Sequence, residues 1–371
     1  MTVGLGVSIG TVNTVCAVTG GGRAERKSRG GPPHTWRTTL TFDSTGAARV
    51  GRIPRHGRAI TEFADLTEGS AVTARVGHRA LSAADLVATV ADSVIATALG
   101  AKGGAGAGIT ITHPIHYPPE RVADLRAALD AAGLDRAALV AEPLAAAAWL
   151  EHRHGPLMPG LALVYDLGGS GLTVTLVRVG AGRPDDPIVG EPLRSKAFGG
   201  RAFGDLMARR ARWHATDAPS LVGVLSDTTI TELRAAHIRR SLGLVYECLR
   251  VADVTMADVD RVLVVGGAAR PPEVAGALAD ALARPVFVAA DPERTIAEGA
   301  ALLACRAAAP PDAVAERRAA RAGLRRRFAR AAVTAAVAAG GALFAATAVA
   351  SDGAAAALID ANGMCFVQPA P

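Results

Sequence analysis

The sequence predicts an α/β fold, because short apolar runs of strand length alternate with longer helical stretches. The N-terminal run MTVGLGVSIGTVNTVCAV is typical of a strand, a turn and a second strand. Further apolar runs with the length of a buried strand occupy residues 108–112, 161–167, 174–179 and 262–265. Alternation of this kind favours sheets that are covered by helices.

Three helical stretches fall between these strands. Residues 81–99 are predicted to form the first, with Ser82 as its N-cap. Residues 118–132 are predicted to form the second, which begins at a pair of prolines and ends at Gly133. Residues 141–152 are predicted to form the third, with Pro143 near its first turn.

The composition excludes several classes of protein. Of the 371 residues, 50% are hydrophobic and 20% are charged, which excludes a disordered chain, a collagen-like fibre and a coiled-coil rod. The cysteines lie too far apart for a disulfide framework or a paired-cysteine metal site. His113 and His116 flank Pro114 at a strand end, but no third ligand has suitable spacing. We therefore expect a turn surface there rather than a metal pair.

Most of the positive charge belongs to one short segment. Seven arginines and no acidic residue lie between Arg317 and Arg330, and without them the net charge of +6 becomes −1. The rest of the chain is therefore not basic, and only 4% of all residues are aromatic. Both facts argue against nucleic acid as a partner.

The segment after these arginines predicts a membrane anchor. Residues 331–351 carry no charge, and a helix that rises about 1.5 Å per residue would span about 30 Å of hydrocarbon over this length. The alternative is an alanine-rich surface helix, because few of these side chains are strongly apolar. Since arginine-rich flanks stay in the cytoplasm, we expect residues 1–330 to be cytoplasmic and residues 352–371 to lie outside. The arginines from Arg317 to Arg330 could also bind anionic lipid.

Three glycine-bearing turns follow predicted strands. They are Gly10-Thr11-Val12, Gly168-Gly169-Ser170 and Gly266-Gly267. Glycine lets the backbone approach a phosphate closely, and successive N–H groups can then surround its oxygens. A single such turn usually only reverses the chain, whereas three of them indicate a phosphate-binding site.

Six segments carry a resemblance to a known family. GVSIGTVNTVCAV and YDLGGSGLTVTLV are similar to the two phosphate-binding hairpins of the actin-like ATPase fold, and VLVVGGAARPPEV resembles its adenosine-binding turn. ITHPIHYPPERVADLRAALDAAGLDRAALVAEPLAAAAW, FGGRAFGDLM and DPERTIAEGAALLA complete the set, in the order found in DnaK-type heat-shock chaperones. The resemblance implies a two-lobed, actin-like (ribonuclease-H-like) ATPase domain that binds ATP or ADP with Mg²⁺.

The resemblance also implies roles for individual residues. Glu142 matches a glutamate of the connecting helix, and Asp166 matches the acid that opens the second hairpin, so these two are the candidate catalytic residues. Asp166 is also the candidate metal residue, acting through water. The nucleotide-binding positions of the family fall on Gly10, Thr11, Val12, Gly168, Gly169, Ser170, Gly266, Gly267 and Arg270.

The chain departs from the family pattern where acids and a lysine are expected. Ser8 and Thr173 stand at two acidic positions, and Gly171 stands at a threonine position. The lysine that contacts the γ-phosphate is missing, because no lysine lies between Lys27 and Lys102. The arginines that could substitute for it are Arg52, Arg55 and Arg58. Arginine is an imperfect substitute, since its planar guanidinium places the charge differently.

The resemblance, together with the arginine-rich and uncharged segments near the C-terminus, divides the chain into five parts. Residues 1–165 are expected to form lobe I, 166–308 a shortened lobe II, 309–330 an arginine-rich linker, 331–351 a transmembrane helix and 352–371 a short tail. Lobe II is shortened because too few residues separate Asp205 from Val262 for the helix that covers the adenine in the family. Too little chain follows Ala304 for the peptide-binding domain of these chaperones, so we expect that domain to be absent.

The leading functional hypothesis is a membrane-anchored nucleotide-binding module, degenerate as an ATPase, that acts through protein partners. One alternative is a slow Mg-ATPase that uses Glu142, Asp166 and a substitute arginine. Another is a structural or interaction protein without a ligand.

The membrane hypothesis predicts a topology. A reporter fused after Pro371 should behave as extracytoplasmic, and the same reporter fused before Met1 as cytoplasmic, because the arginines hold their side of the segment in the cytoplasm. Recovery of the full chain in the soluble fraction without detergent would contradict this prediction.

Overall fold

The computed structural model describes residues 2–20, 34–43, 45–53, 59–67, 74–76, 79–99, 106–217 and 225–309. Residues up to Ala309 belong to one compact unit. The predicted transmembrane helix and tail, and the linker after Ala309, lie outside the described residues. Within the described part of the chain, no helix combines the length and apolarity needed to cross a membrane.

The structure alternates strands and helices along the chain. The strands are β1 (Val3–Ile9), β2 (Asn13–Gly20), β3 (His34–Arg37), β4 (Leu40–Phe42), β5 (Ala48–Val50), β6 (Ala74–Val76), β7 (Arg79–Leu81), β8 (Gly108–His113), β9 (Ala138–Ala141), β10 (Gly160–Leu167), β11 (Leu172–Val179), β12 (Ile188–Ser195), β13 (Val259–Val265) and β14 (Val286–Val288). The helices are α1 (Ala83–Leu99), α2 (Pro119–Ala131), α3 (Glu142–His154), α4 (Gly200–Asp217), α5 (Asp227–Val251), α6 (Pro272–Leu282) and α7 (Thr295–Ala307).

Two five-stranded sheets with matching topology organise the fold. The first has the order β3-β2-β1-β8-β9, and the second has the order β12-β11-β10-β13-β14. In each sheet the first three strands are antiparallel, and the last two are added in parallel. The predicted α/β fold is confirmed. The predicted lobe boundary after residue 165 falls inside β10, which pairs in the second sheet over its whole length.

The strands and helices predicted from the sequence between residues 1 and 265 are all present, with ends that shift by a few residues. Ser82 caps α1 as expected: the Asp85 backbone N–H donates to the Ser82 hydroxyl at 3.1 Å, and the Asp85 carboxylate accepts from the Ser82 N–H at 2.8 Å. The shorter strands β3 to β7, the edge strands β9, β12 and β14, and helices α4 to α7 were not predicted.

Helix α7 packs on the first sheet with almost no side chain in between. An added Cβ atom at Gly6 of β1 would lie 2.2 Å from the Ala297 carbonyl oxygen and from the Ala301 nitrogen. Helix α3 in turn packs on α7, and there a Cβ at Gly299 would lie 1.8 Å from the carbonyl oxygen of Ala145. Glycine is therefore required at both contacts, and α3 and α7 are fixed against each other and against β1.

Gly6→Ala tests this close packing. The added methyl group meets rigid backbone atoms, so the free energy of unfolding should fall by about 1–3 kcal/mol in urea titrations. Gly276→Ala in α6 is the matched control, because nothing lies within 4 Å of a Cβ at that position. It should raise stability by about 0.5–1 kcal/mol through helix propensity. Equal stability of Gly6→Ala and wild type would contradict the packing.

Candidate functional site

A cavity of about 280 Å³ is lined by the residues that follow strands β1, β10 and β13. Every residue that the sequence assigned to catalysis or nucleotide binding contributes to its wall. These residues are Gly10, Thr11, Val12, Glu142, Asp166, Gly168, Gly169, Ser170, Gly266, Gly267 and Arg270. Residues that are distant along the chain thus share one cavity.

The loops of the two hairpins contact each other in the cavity. Each is closed by a backbone hydrogen bond of 2.9 Å, from the Gly10 N–H to the Asn13 carbonyl and from the Gly168 N–H to the Gly171 carbonyl. The Val12 side chain packs on Gly169, where an added Cβ would lie 2.3 Å from Val12 Cγ2. Only glycine fits at this position while the two loops are together.

Two acidic side chains lie side by side in the cavity. Glu142 is the first residue of α3, and Asp166 lies near the end of β10. Both keep a little surface toward the cavity but are surrounded by protein. Burial raises the pKa of Glu142 and of Asp166, the Asp166 charge raises the pKa of Glu142 further, and the nearby Arg194 opposes both shifts. The protein therefore favours the protonated form of these two carboxyls more than water does.

The positions at which the resemblance predicts acids are part of the same wall. Ser8 is buried in β1, and Thr173 in β11 is paired in register with Asp166. Both residues line the cavity, as does Gly171. The sites where the family places acids thus face the cavity with neutral side chains.

Arg194 is the main residue that the sequence analysis missed. It lies on β12 in register with Thr173, and its guanidinium donates to Asp65 at 2.8 Å. Burial opposes ionisation of Asp65, but hydrogen bonds from Arg194 and Thr67 outweigh this and lower its pKa to about 2. Predicting β12 would have placed Arg194 beside the second hairpin, whereas nothing in the sequence predicts its contact with Asp65.

His116 lies in a turn, as expected, but it is half-buried and lines the cavity, which was not expected. Its Nε2 atom lies 2.6 Å from Nη1 of Arg194. Arginine can only donate, so Nε2 accepts and the ring is neutral with its proton on Nδ1. Burial, followed by the Arg194 charge, lowers the pKa of His116 to about 4, in agreement with this arrangement.

The third glycine turn is held by a different set of charges. Arg270 pairs with Asp291 at 3.1 Å and also with Glu293. Glu293 in turn accepts a hydrogen bond from the Asn13 side chain in the first hairpin. This contact ties the adenosine-binding turn to the first sheet, and neither Asn13 nor Glu293 was predicted.

The substitute arginines are not seen in the cavity. Arg55 and Arg58 lie outside the described residues. Arg52 is described, but it is exposed and does not belong to the cavity lining. Arg194 and Arg270 are the arginines of the described lining, and it contains no lysine.

The described lining could hold a divalent ion through water. Within the described residues, no group of three or more His, Cys, Asp or Glu side chains could bind a metal directly. Glu142 and Asp166 supply two adjacent carboxyls of the hard-oxygen type that Mg²⁺ prefers, and Mg²⁺ commonly keeps several of its waters. These two residues would therefore hold the ion through its hydration shell.

Comparisons with known proteins relate the chain to two groups. A family profile described as the FGGY family of carbohydrate kinases, C-terminal domain, matches residues 196–308. The chain is 26% identical to a chaperone protein HscA homolog of Laribacter hongkongensis, over 81% of this chain and 58% of that protein.

Further HscA homologs are similar over a shorter part of the chain. That of Methylococcus capsulatus is 28% identical over 54% of this chain and 38% of its own length. That of Shewanella frigidimarina is 27% identical over 58% of this chain and 40% of its own length. The matches thus cover roughly half of these curated relatives. The similarities support a nucleotide-binding, chaperone-like module with an actin-like ATPase fold.

Glu142→Gln tests the burial of the catalytic candidate. As the pH rises above 4.5, the ordinary pKa of a glutamate, Glu142 ionises in the unfolded chain but retains its proton in the folded chain. Wild type therefore loses stability. The variant lacks this loss. Its free energy of unfolding should exceed that of wild type by about 1–3 kcal/mol at pH 8, and the difference should vanish near pH 4.5.

Urea titrations at several pH values measure this difference. Glu120→Gln is the control, because Glu120 also occupies the first turn of a helix but is exposed. It should change stability by less than about 0.5 kcal/mol throughout. A Glu142→Gln variant that is less stable than wild type at pH 8 would show that the folded protein favours the carboxylate.

Proposed function

We propose that this chain is a nucleotide-binding module of the DnaK type, degenerate as an ATPase, that acts through protein partners. The observation that carries the proposal is the meeting of all three glycine turns with Glu142 and Asp166 in one cavity. The similarity to the HscA homolog of Laribacter hongkongensis over 81% of the chain supports the nucleotide-binding, chaperone-like part of the proposal.

Different residues of the cavity bind different parts of the nucleotide. The turns that begin at Gly10 and Gly168 surround the phosphates with backbone N–H groups, and the Gly266 turn with Arg270 supports the adenosine. Glu142 and Asp166 would hold Mg²⁺ through water, and the ion would neutralise phosphate charge. Val12 and Gly169 move apart to admit the phosphates, because the two loops are now in contact.

Weak catalysis follows from the chemistry of the cavity wall. Phosphoryl transfer depends on positioning and on neutralising charge, and Ser8 and Thr173 remove two acids of the metal shell. Loss of several kcal/mol of transition-state stabilisation corresponds to orders of magnitude in rate, at about 1.4 kcal/mol for each factor of ten. Glu142 is also a poor general base while it keeps its proton.

The second candidate function is a slow Mg-ATPase. It is favoured by the position of Arg194 close to both Glu142 and Asp166, where it supplies the positive charge that the missing lysine would give. A steady ATPase rate that Glu142→Ala abolishes would put this function first.

We also propose that residues 331–351 anchor the module in the cytoplasmic membrane, with the arginines from Arg317 to Arg330 beside anionic lipid. This part of the proposal rests on the sequence alone. It would bring the module close to membrane-bound partners.

Restoring the missing acids tests the degenerate site. Wild type should turn over ATP very slowly or not at all, and Ser8→Asp combined with Thr173→Asp should strengthen ATP binding in Mg²⁺ but not in EDTA, by about tenfold or more. The matched control, Ser8→Asn with Thr173→Asn, adds similar volume without charge and should not show this gain. Calorimetric titration and a phosphate-release assay measure both quantities. Wild-type hydrolysis at a rate typical of these chaperones would contradict the proposal.

A further inference from the structure

The Arg194–Asp65 ion pair connects the two halves of the cavity. Arg194 extends from β12 of the second sheet. Asp65 belongs to a segment that is fixed to Tyr117, whose hydroxyl donates to the Ala64 carbonyl at 2.6 Å and accepts from the Leu66 N–H at 3.2 Å. Tyr117 closely follows β8 of the first sheet. The pair is therefore a contact between the two sides of the cavity.

This ion pair is well shielded from water. The Arg194 side chain is 15% exposed and the Asp65 side chain is 8% exposed. A guanidinium cannot release its proton, so a buried arginine needs an anionic partner. In the structure Asp65 is that partner, with His116 and the Ser170 hydroxyl, at 3.4 Å, completing the contacts.

Arg194 is the positive charge of the described lining that lies beside the phosphate loops. Ser170, which it contacts, belongs to the second glycine turn. The other arginine of the lining, Arg270, is held at the adenosine-binding turn by Asp291 and Glu293. A phosphate bound at the hairpin loops would therefore meet the guanidinium of Arg194.

We propose, on the basis of the function proposed above, that Arg194 binds a phosphate group of the nucleotide by exchanging the Asp65 carboxylate for phosphate oxygens. Phosphate offers the same bidentate geometry as a carboxylate, and it carries more charge. Asp65 keeps Arg194 in the cavity when no ligand is present and competes with the ligand for it. Binding of the nucleotide thus breaks a contact between the two sides of the cavity.

The exchange predicts opposite effects for the two partners. Arg194→Gln should lower the affinity for ATP and for inorganic tripolyphosphate by about tenfold or more. The affinity for AMP should change by less than about twofold, because the loss grows with the number of phosphates. Asp65→Asn should raise the affinity for ATP by about threefold or more, because it removes the carboxylate charge that competes with the phosphates for Arg194. In the double variant this gain should disappear.

The experiment is a calorimetric titration of the full chain with ATP, AMP and tripolyphosphate in constant Mg²⁺. Arg183→Gln is the control, because Arg183 forms an ion pair of 2.8 Å with Glu151 and does not line the cavity. It should leave all affinities unchanged. If Arg194→Gln does not fold, Asp65→Asn decides alone, since it keeps the arginine.

Two results would overturn the exchange while leaving nucleotide binding intact. One is a loss of affinity in Asp65→Asn, which would make the ion pair purely structural. The other is an equal loss of affinity for ATP and for AMP in Arg194→Gln, which would show that Arg194 does not act on the additional phosphates. A folded wild-type chain that binds none of the ligands, with or without Mg²⁺, would overturn both the exchange and the proposed function.

Discussion

The cavity depends on the close crossing of α3, α7 and β1. Gly6 and Gly299 remove the side chains that would separate these elements, so backbone atoms are in contact at both crossings. Glu142 is the first residue of α3, and Glu293 lies two residues before α7. The crossing therefore fixes the positions of Glu142 and of Glu293, which pairs with Arg270 after the Gly266 turn. The Trp149 indole in α3 also donates a hydrogen bond of 2.9 Å to Glu298 in α7, which adds a second contact between these helices.

Charge in the cavity is balanced by the protein itself. Asp65 neutralises Arg194, Asp291 and Glu293 neutralise Arg270, and burial raises the pKa of both Glu142 and Asp166. A polyphosphate that enters this cavity meets acidic residues as well as arginines. Its binding therefore requires that ion pairs be exchanged and that a bound cation neutralise part of the phosphate charge. We infer that the cavity favours binding and release over rapid phosphoryl transfer.

The sequence predicts those parts of the site that are marked by a pattern of neighbouring residues. The strand–turn–strand pattern around Gly10 and around Gly168 is continuous in sequence, and so is the start of α3 at Glu142, which is why the acids and glycine turns could be named. The contacts of Arg194 could not be predicted, because Asp65 lies 129 positions away and β12, which carries Arg194, contains no fully buried residue to mark it as a strand. His116 was assigned to a turn surface because no third metal ligand has suitable spacing, and no local signal predicts its contact with Arg194. The bond between Asn13 and Glu293 joins opposite ends of the chain and has no local signal.

The central claim is that the three glycine turns bind one nucleotide together. Hydrogen–deuterium exchange of the full chain, followed by mass spectrometry of the peptides that contain Gly10, Gly168 and Gly266, tests it most directly. The account predicts that ATP with Mg²⁺ slows exchange in all three peptides, whereas adenosine slows it only in the Gly266 peptide. Unchanged exchange at Gly10 and Gly168 under saturating ATP would contradict the claim.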